Sequence, residues 1–149
     1  MTREEARIIR HRLDDYQSYK TLAFEADKKA LLTQERIRDL GYPKAISWGK
    51  IGTTQNHVET ASILNQLITD QDAYEKEAAK YHQKMKDIEA FIDDNFVGLI
   101  HTALVRHYID GINYIKLSEE FFIEPCSLTM QVIRAIECLD FDKAKAIIS

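Results

Sequence analysis

Proline and glycine are scarce in this chain of 149 residues, at two and five, which removes most of the punctuation that a many-turned sheet protein needs. Cysteine and tryptophan are scarce as well, at two and one. Cys126 and Cys138 stand twelve apart, with no C-x-x-C pair and no signal-peptide pattern ahead of them. The expectation is reduced thiols in a cytoplasm, with neither a disulfide framework nor a zinc site. No apolar run approaches the ~20 residues that cross a bilayer, so no membrane partner is expected. Charge of one sign is missing too: the formal net charge is −4, too mild for a general attraction to phosphate.

What fills the chain is Ala, Leu, Ile, Glu, Lys and Gln, residues that favour helix over sheet. The fold class that follows is all-α, and the length fits one compact unit or a small domain with a helical arm. The charges are unevenly spread. Residues 1–56 carry 11 Lys and Arg against 8 Asp and Glu, residues 57–95 carry 4 against 9, and residues 96–149 carry 5 against 7. The basic end is the N-terminal one.

A first long helix is expected from about Arg3 to Leu40. Ile9, Leu13, Tyr16, Tyr19, Ala23, Ala26, Ala30, Ile37 and Leu40 recur mostly at steps of three or four and draw one apolar stripe. Gly41 and Pro43 end it. Residues 41–56, rich in Gly, Ser, Thr and Asn without a period, read as a loop. Within it Gly49-Lys50-Ile51-Gly52-Thr53-Thr54 has the composition of a phosphate loop but neither its G-x-x-x-x-G-K-[ST] spacing nor a strand ahead of it, so a plain connector is the reading. Trp48 is read as an anchor for that loop.

A second long helix is expected from His57. Leu64, Leu67, Gln71, Tyr74, Ala78, Tyr81, Met85, Ile88 and Ile92 alternate steps of three and four across four heptads, the pattern of a coiled-coil seam. Two arrangements satisfy it. One is an antiparallel hairpin with the first helix, which Tyr, Ala and Gln on the seam favour; the other is a seam between subunits, giving a homo-oligomer through the arm. Asp93-Asp94-Asn95 supplies cap-type residues before Phe96, and the arm is placed at 1–94 with a separate domain over 95–149.

That domain reads as four short helices. The first spans about Phe96 to Ile109, with Val97, Ile100, Leu104 and Tyr108 on one face and Gly111 closing it. The second runs from about Tyr114 to Phe121, with Leu117 and Phe121 inward. Pro125 opens a third, on which Leu128, Val132, Ala135, Ile136 and Leu139 form the buried stripe. Asp140-Phe141-Asp142 starts a last short one, with Phe141, Ala144 and Ile148 covering the edge. A helix closed by Gly, a short helix and a tight turn into a third make a helix-turn-helix, whose last helix is able to enter a DNA major groove.

The phrase His107-Tyr108-Ile109-Asp110-Gly111, the aromatic Tyr114, the acidic pair Glu119-Glu120 and the ending Ala135-Ile136 follow one another at the spacing of a known pattern. The segment Leu104 to Leu139 resembles sigma-factor region 4 as used by small transcription regulators of phages and prophages of Gram-positive bacteria, the ArpU/RinA-like late regulators and related sigma-like groups. The resemblance covers about a quarter of the chain. It implies a phage-type transcriptional regulator in a bacterial host cytoplasm, whose partner is promoter DNA or a protein of the transcription machinery.

This chain departs from the pattern where function is decided. Members show Gly at the turn, Ser at the start of the last helix and several Arg or Lys along it; here Phe122 and Glu124 take the first two places and Arg134 is the single cation. Phosphate contacts from Lys and Arg supply most nonspecific DNA affinity. Ser127, Thr129 and Arg134 are the candidates for base edges or phosphate, while Met130 and Ile133 suit a protein partner. Arg3, Arg7 and Arg10, on one flank of the first helix, are candidates for DNA backbone or an acidic partner, or form a solvated face among Glu4, Glu5, Asp14 and Asp15. The alternative to a DNA reader is thus an interaction or inhibitor protein on the same fold that has lost DNA binding. His101 and His107 lack the i, i+4 spacing of a helical metal pair, and the carboxylate pairs Asp93-Asp94 and Asp140/Asp142 are explained as caps. No nucleophile, phosphate loop or cofactor fingerprint is present, so no enzyme, cofactor or metal is expected.

Overall fold

The computed structural model describes the backbone of residues 1–41 and 54–148. The loop expected over 41–56, with Trp48 and the glycine-containing run, lies outside the described residues except at its edges, where one helix ends at Gly41 and the next begins at Thr54. Among the described residues the chain is all-α and has no strand. The order is α1 (Arg3–Gly41), α2 (Thr54–Asn95), α3 (Gly98–Leu104), a π turn (Val105–Ile109), α4 (Tyr114–Phe121), α5 (Pro125–Glu137), a 3-10 turn (Phe141–Ala144) and α6 (Lys145–Ile148).

A capping box starts α1. The Glu5 N–H donates to Thr2 Oγ1 at 3.2 Å and the Thr2 N–H donates to Glu5 Oε2 at 3.0 Å, satisfying two of the amides a helix start leaves open. Glu4 and Glu5 in the first turn and Arg38 in the last also suit the helix dipole. Neither α1 before Gly41 nor α2 contains Pro or Gly, so each continues for 39 and 42 residues.

Contacts group Met1–Thr21 with Tyr81–Ser149 in one compact unit and Leu22–Lys80 in a second. The sequence places a break at residues 94 and 95, and these units are cut within the long helices. The first turns of α1 and the last turns of α2 form walls of the core that holds the C-terminal helices. Ile9 and Leu13 from α1, Ile92 from α2, Leu104 from α3, Leu117 from α4 and Leu128, Val132 and Ile136 from α5 are all fully buried there. Burying such a side chain is worth about 1.5–3 kcal/mol. Along the helical pair, Tyr16 Oη donates to Glu89 Oε1 at 2.6 Å and Tyr19 stacks on Tyr81 at 6.1 Å.

The junction before α3 differs from expectation. Asp93, Asp94 and Asn95 do not cap a helix at Phe96: α2 runs through them, Asn95 Nδ2 donates back to the Phe91 carbonyl at 2.8 Å, and Asp93 Oδ1 meets His101 Nε2 at 2.7 Å. Helix α3 starts at Gly98, whose φ of 65° suits glycine. Val97 therefore sits on the connecting turn, 86% exposed, instead of on a buried face. Phe96 is buried, edge-on to Phe91 at 5.8 Å.

The expected helix through Ile109 widens into the π turn. The Asp110 N–H reaches the Val105 carbonyl at 3.1 Å, and Gly111, at φ 75°, closes the segment. From α1, Gln17 Nε2 donates to the carbonyls of Tyr108 at 3.0 Å and Ile109 at 2.6 Å. At the C-terminal edge Ala144 and Ile147 are buried, and Phe141 and Ile148 pack against the core.

In the second unit Ala23, Ala26 and Thr33 of α1 and Ala78 of α2 are buried, while Leu64, Leu67, Gln71 and Tyr74 are half-buried. Lys29 Nζ lies 5.9 Å from the Tyr74 ring centre. Small side chains hold the buried positions of α1 here, and its large apolar ones, Phe24, Leu31 and Leu32, are exposed.

Candidate interaction face of the helix-turn-helix

Around the π turn and along α4, His107, Tyr108, Ile109 and Tyr114 are buried or half-buried, whereas Asp110, Glu119 and Glu120 are exposed. Arg106 makes a two-pronged ion pair with Glu120, Nη2 to Oε1 at 3.1 Å, tying the π turn to α4. His107 Nδ1 donates to the Ile112 carbonyl at 2.7 Å, and its ring stacks on Tyr114 at 3.8 Å. Burial pushes the phenols of Tyr108 and Tyr114 above their usual range. Asn113 caps α4, its Oδ1 accepting from the Lys116 N–H at 2.8 Å. These groups fix how α4 leaves the π turn.

The turn into α5 rests on Phe122. Its backbone is left-handed, φ 55° and ψ 39°, and closes α4 through a bond from its N–H to the Ser118 carbonyl. Glycine adopts that conformation freely, whereas another L-residue is strained there by roughly 1–2 kcal/mol. The Phe122 ring is 95% exposed, so no burial offsets the strain. Glu124 then occupies the cap position of α5 without a side-chain cap bond, and Pro125 opens the first turn.

On α5 the sequence candidates separate. Ser127, Met130 and Arg134 lie on the exposed side, with Cys126 beside them. Thr129 and Ile133 are half-buried on its flank, and the Thr129 hydroxyl donates to the Pro125 carbonyl at 2.9 Å. That bond uses the proton it would offer to a base edge. A groove of about 330 Å³ runs between Tyr114, Ile115, Pro125, Cys126, Thr129 and Met130. A second, of about 470 Å³, is lined by Ile115, Ser118, Phe122, Ile123 and Pro125 with the carboxylates of Glu119 and Glu124. Ile115 and Pro125 belong to both grooves.

Ile115 was missed as a surface residue, although the pattern contained the signal. It falls out of phase with the inward positions Tyr114, Leu117 and Phe121, and it is 63% exposed.

The members of the N-terminal Arg set differ in exposure. Arg3 and Arg7 are exposed. Arg10 is half-buried, its Nε enclosed without a hydrogen-bond partner among the described residues, and its charge bears on Tyr108 and Tyr114. The Met1 nitrogen donates to the carbonyls of Glu137 at 3.0 Å and Leu139 at 3.3 Å, which brings the start of α1 to the end of α5 nearest Arg134.

Among the described residues no three His, Cys, Asp or Glu are grouped to hold a metal ion, and no helix is long and apolar enough to cross a membrane. Both cysteines are free and exposed. Comparison with protein-family models, with curated proteins and with solved structures gives no match for this chain.

Proposed function

We propose that this chain is a regulator of the phage sigma-like kind that works by docking a protein of the transcription machinery on its helix-turn-helix, in place of reading promoter DNA. The observation that carries the reading is Phe122, a large apolar side chain held in solvent, in a strained conformation, at the turn where glycine costs nothing. Strain without a packing reward suits a residue whose side chain serves for contact. Phe122, Ile115 and Met130 form an apolar platform rimmed by Glu119 and Glu124. An apolar helix face with flanking Lys or Arg complements such a platform, and DNA phosphate is repelled by its carboxylates.

One observation favours the DNA reading: the start of α1, with Arg3 and Arg7 exposed, lies at the Arg134 end of α5. Two titrations separate the readings. Purified bacterial RNA polymerase should be captured by the wild-type chain, and capture should fall at least about tenfold in Met130→Asp, because a charge replaces an apolar contact. A mixed-sequence duplex at low salt should show no shift. Low-salt DNA binding that is lost in Arg134→Ala overturns the proposal.

A further inference from the structure

The second unit keeps its large apolar residues on the outside of α1. Along the helix Ala23, Ala26, Ala30, Thr33 and Ile37 form the buried or half-buried side, and Phe24, Lys28, Leu31, Leu32 and Glu35 are exposed. At 100° per residue the second set lies roughly opposite the first. Phe24, Leu31 and Leu32 are 67%, 57% and 48% exposed, and they share the side of α1 turned away from its own seam with Lys28, between Phe24 and Leu31, and Glu35, beyond Leu32. Three large apolar side chains left in water on one helix face gain by being covered.

The charges around these apolar residues say which partner. Reading outward from Leu31 and Leu32, Lys28 precedes them by three residues and Glu35 follows by three; farther out, Glu25 and Arg36 flank the two sides. If a second α1 is laid antiparallel with a two-fold axis at Leu31 and Leu32, Lys28 faces Glu35 of the other copy, and Glu25 lies beside Arg36 of the other copy. Each pair occurs twice by symmetry. A parallel arrangement in register sets Lys28 against Lys28 and Glu35 against Glu35, which repels. The segment is complementary to itself in one direction only.

We infer that this chain forms a two-fold dimer through the outer face of α1, with Leu31 and Leu32 at the axis and Phe24 near each end of the contact. The stretch from Phe24 to Asp39 is about 24 Å long at 1.5 Å per residue, enough for four turns of helix against helix. The inference stands on unit Leu22–Lys80 alone and does not depend on the docking role of the helix-turn-helix.

Sedimentation equilibrium of the full chain at low salt tests it, with circular dichroism to confirm unchanged helix content. Wild type should show a reversible dimer. Leu31→Glu should leave a monomer, and Lys28→Glu should weaken the dimer about tenfold, since two attractive pairs become repulsive. The double variant Lys28→Glu with Glu35→Lys swaps each pair and should restore the wild-type Kd to within about threefold. A monomeric wild type overturns the inference. So does a dimer indifferent to Leu31→Glu, or one that the charge swap fails to restore.

Discussion

Gln17 and Ile109 are joined across 92 positions of sequence by a 2.6 Å hydrogen bond from the amide of one to the carbonyl of the other. The same amide reaches Tyr108 at 3.0 Å. A π turn leaves carbonyls at its end without a continuing helix to satisfy them, and α1 supplies the missing donor. Gln17→Ala should cost about 1 kcal/mol, and amide exchange over Tyr108–Ile112 should accelerate more than exchange in α5. Equal protection in both proteins would mean that the π turn stands without α1.

Phe122→Gly should raise stability. The left-handed strain of roughly 1–2 kcal/mol disappears, and the entropy glycine adds to the unfolded chain returns part of that. A net gain of about 0.5–1 kcal/mol raises Tm by a few degrees at this chain length. If the proposed docking holds, the same variant loses capture of RNA polymerase. A protein that is more stable and less able to capture polymerase would support the proposed docking role of Phe122, and one that is more stable with capture unchanged would count against it.

Ile88 is 3% exposed in the first unit, whereas Met85, one turn earlier, is half-buried. Ile88→Asp removes the packing and buries a carboxylate without a partner, so a loss of roughly 3 kcal/mol or more is expected at neutral pH. Met85→Asp should cost less, because water reaches the new charge. Thermal unfolding of the two variants should rank them in that order.

Three phenols resist ionisation in the folded state. Burial, followed by the hydrogen bond to Glu89 and its charge, raises Tyr16; burial raises Tyr108 and Tyr114. The unfolded chain ionises these groups near pH 10, and the folded chain holds their protons to higher pH. Above pH 10 the native state therefore binds more protons than the unfolded state, and stability falls as pH rises. Denaturant midpoints taken from pH 9 to pH 11 should decline, and Tyr16→Phe should make the decline shallower.

Much of the architecture was legible in the residue pattern. The seam from Leu64 to Ile92 was read at the positions that are buried or half-buried, because a three-four alternation leaves a helix one face to hide. Helix α4 was placed over Tyr114–Phe121 and α5 from Pro125, where Asn113 and Pro125 signal starts. The capping box of Thr2 and Glu5 is also present in the pattern, as Thr-x-x-Glu ahead of an apolar run. The end of α2 was misread because Asp93, Asp94 and Asn95 look like caps in isolation, while Phe96 gains more by entering the core than a helix start there would gain.

The candidate interaction face is legible in the sequence only as a list of residue types. Met130 and Arg134 were identified on α5, and Phe122 was noted in the place of glycine, but which of them share a surface depends on how α4 is set against α5. That setting is made by Arg106 on Glu120 and His107 on Tyr114, contacts between residues whose separation in sequence gives no hint of contact.

The sequence by itself determined that this protein is helical, where its long helices run and which sides they hide, because helix propensity and apolar spacing act over a few residues at a time. Only the tertiary structure decided that α1 and α2 are walls of the C-terminal core, that Arg10 turns in while Arg3 and Arg7 stay out, and that Phe122 stands in solvent. Those outcomes depend on burial and hydrogen-bond satisfaction among segments far apart in the chain, such as Gln17 beneath the π turn, and no local pattern encodes which distant group will meet a given carbonyl or ring.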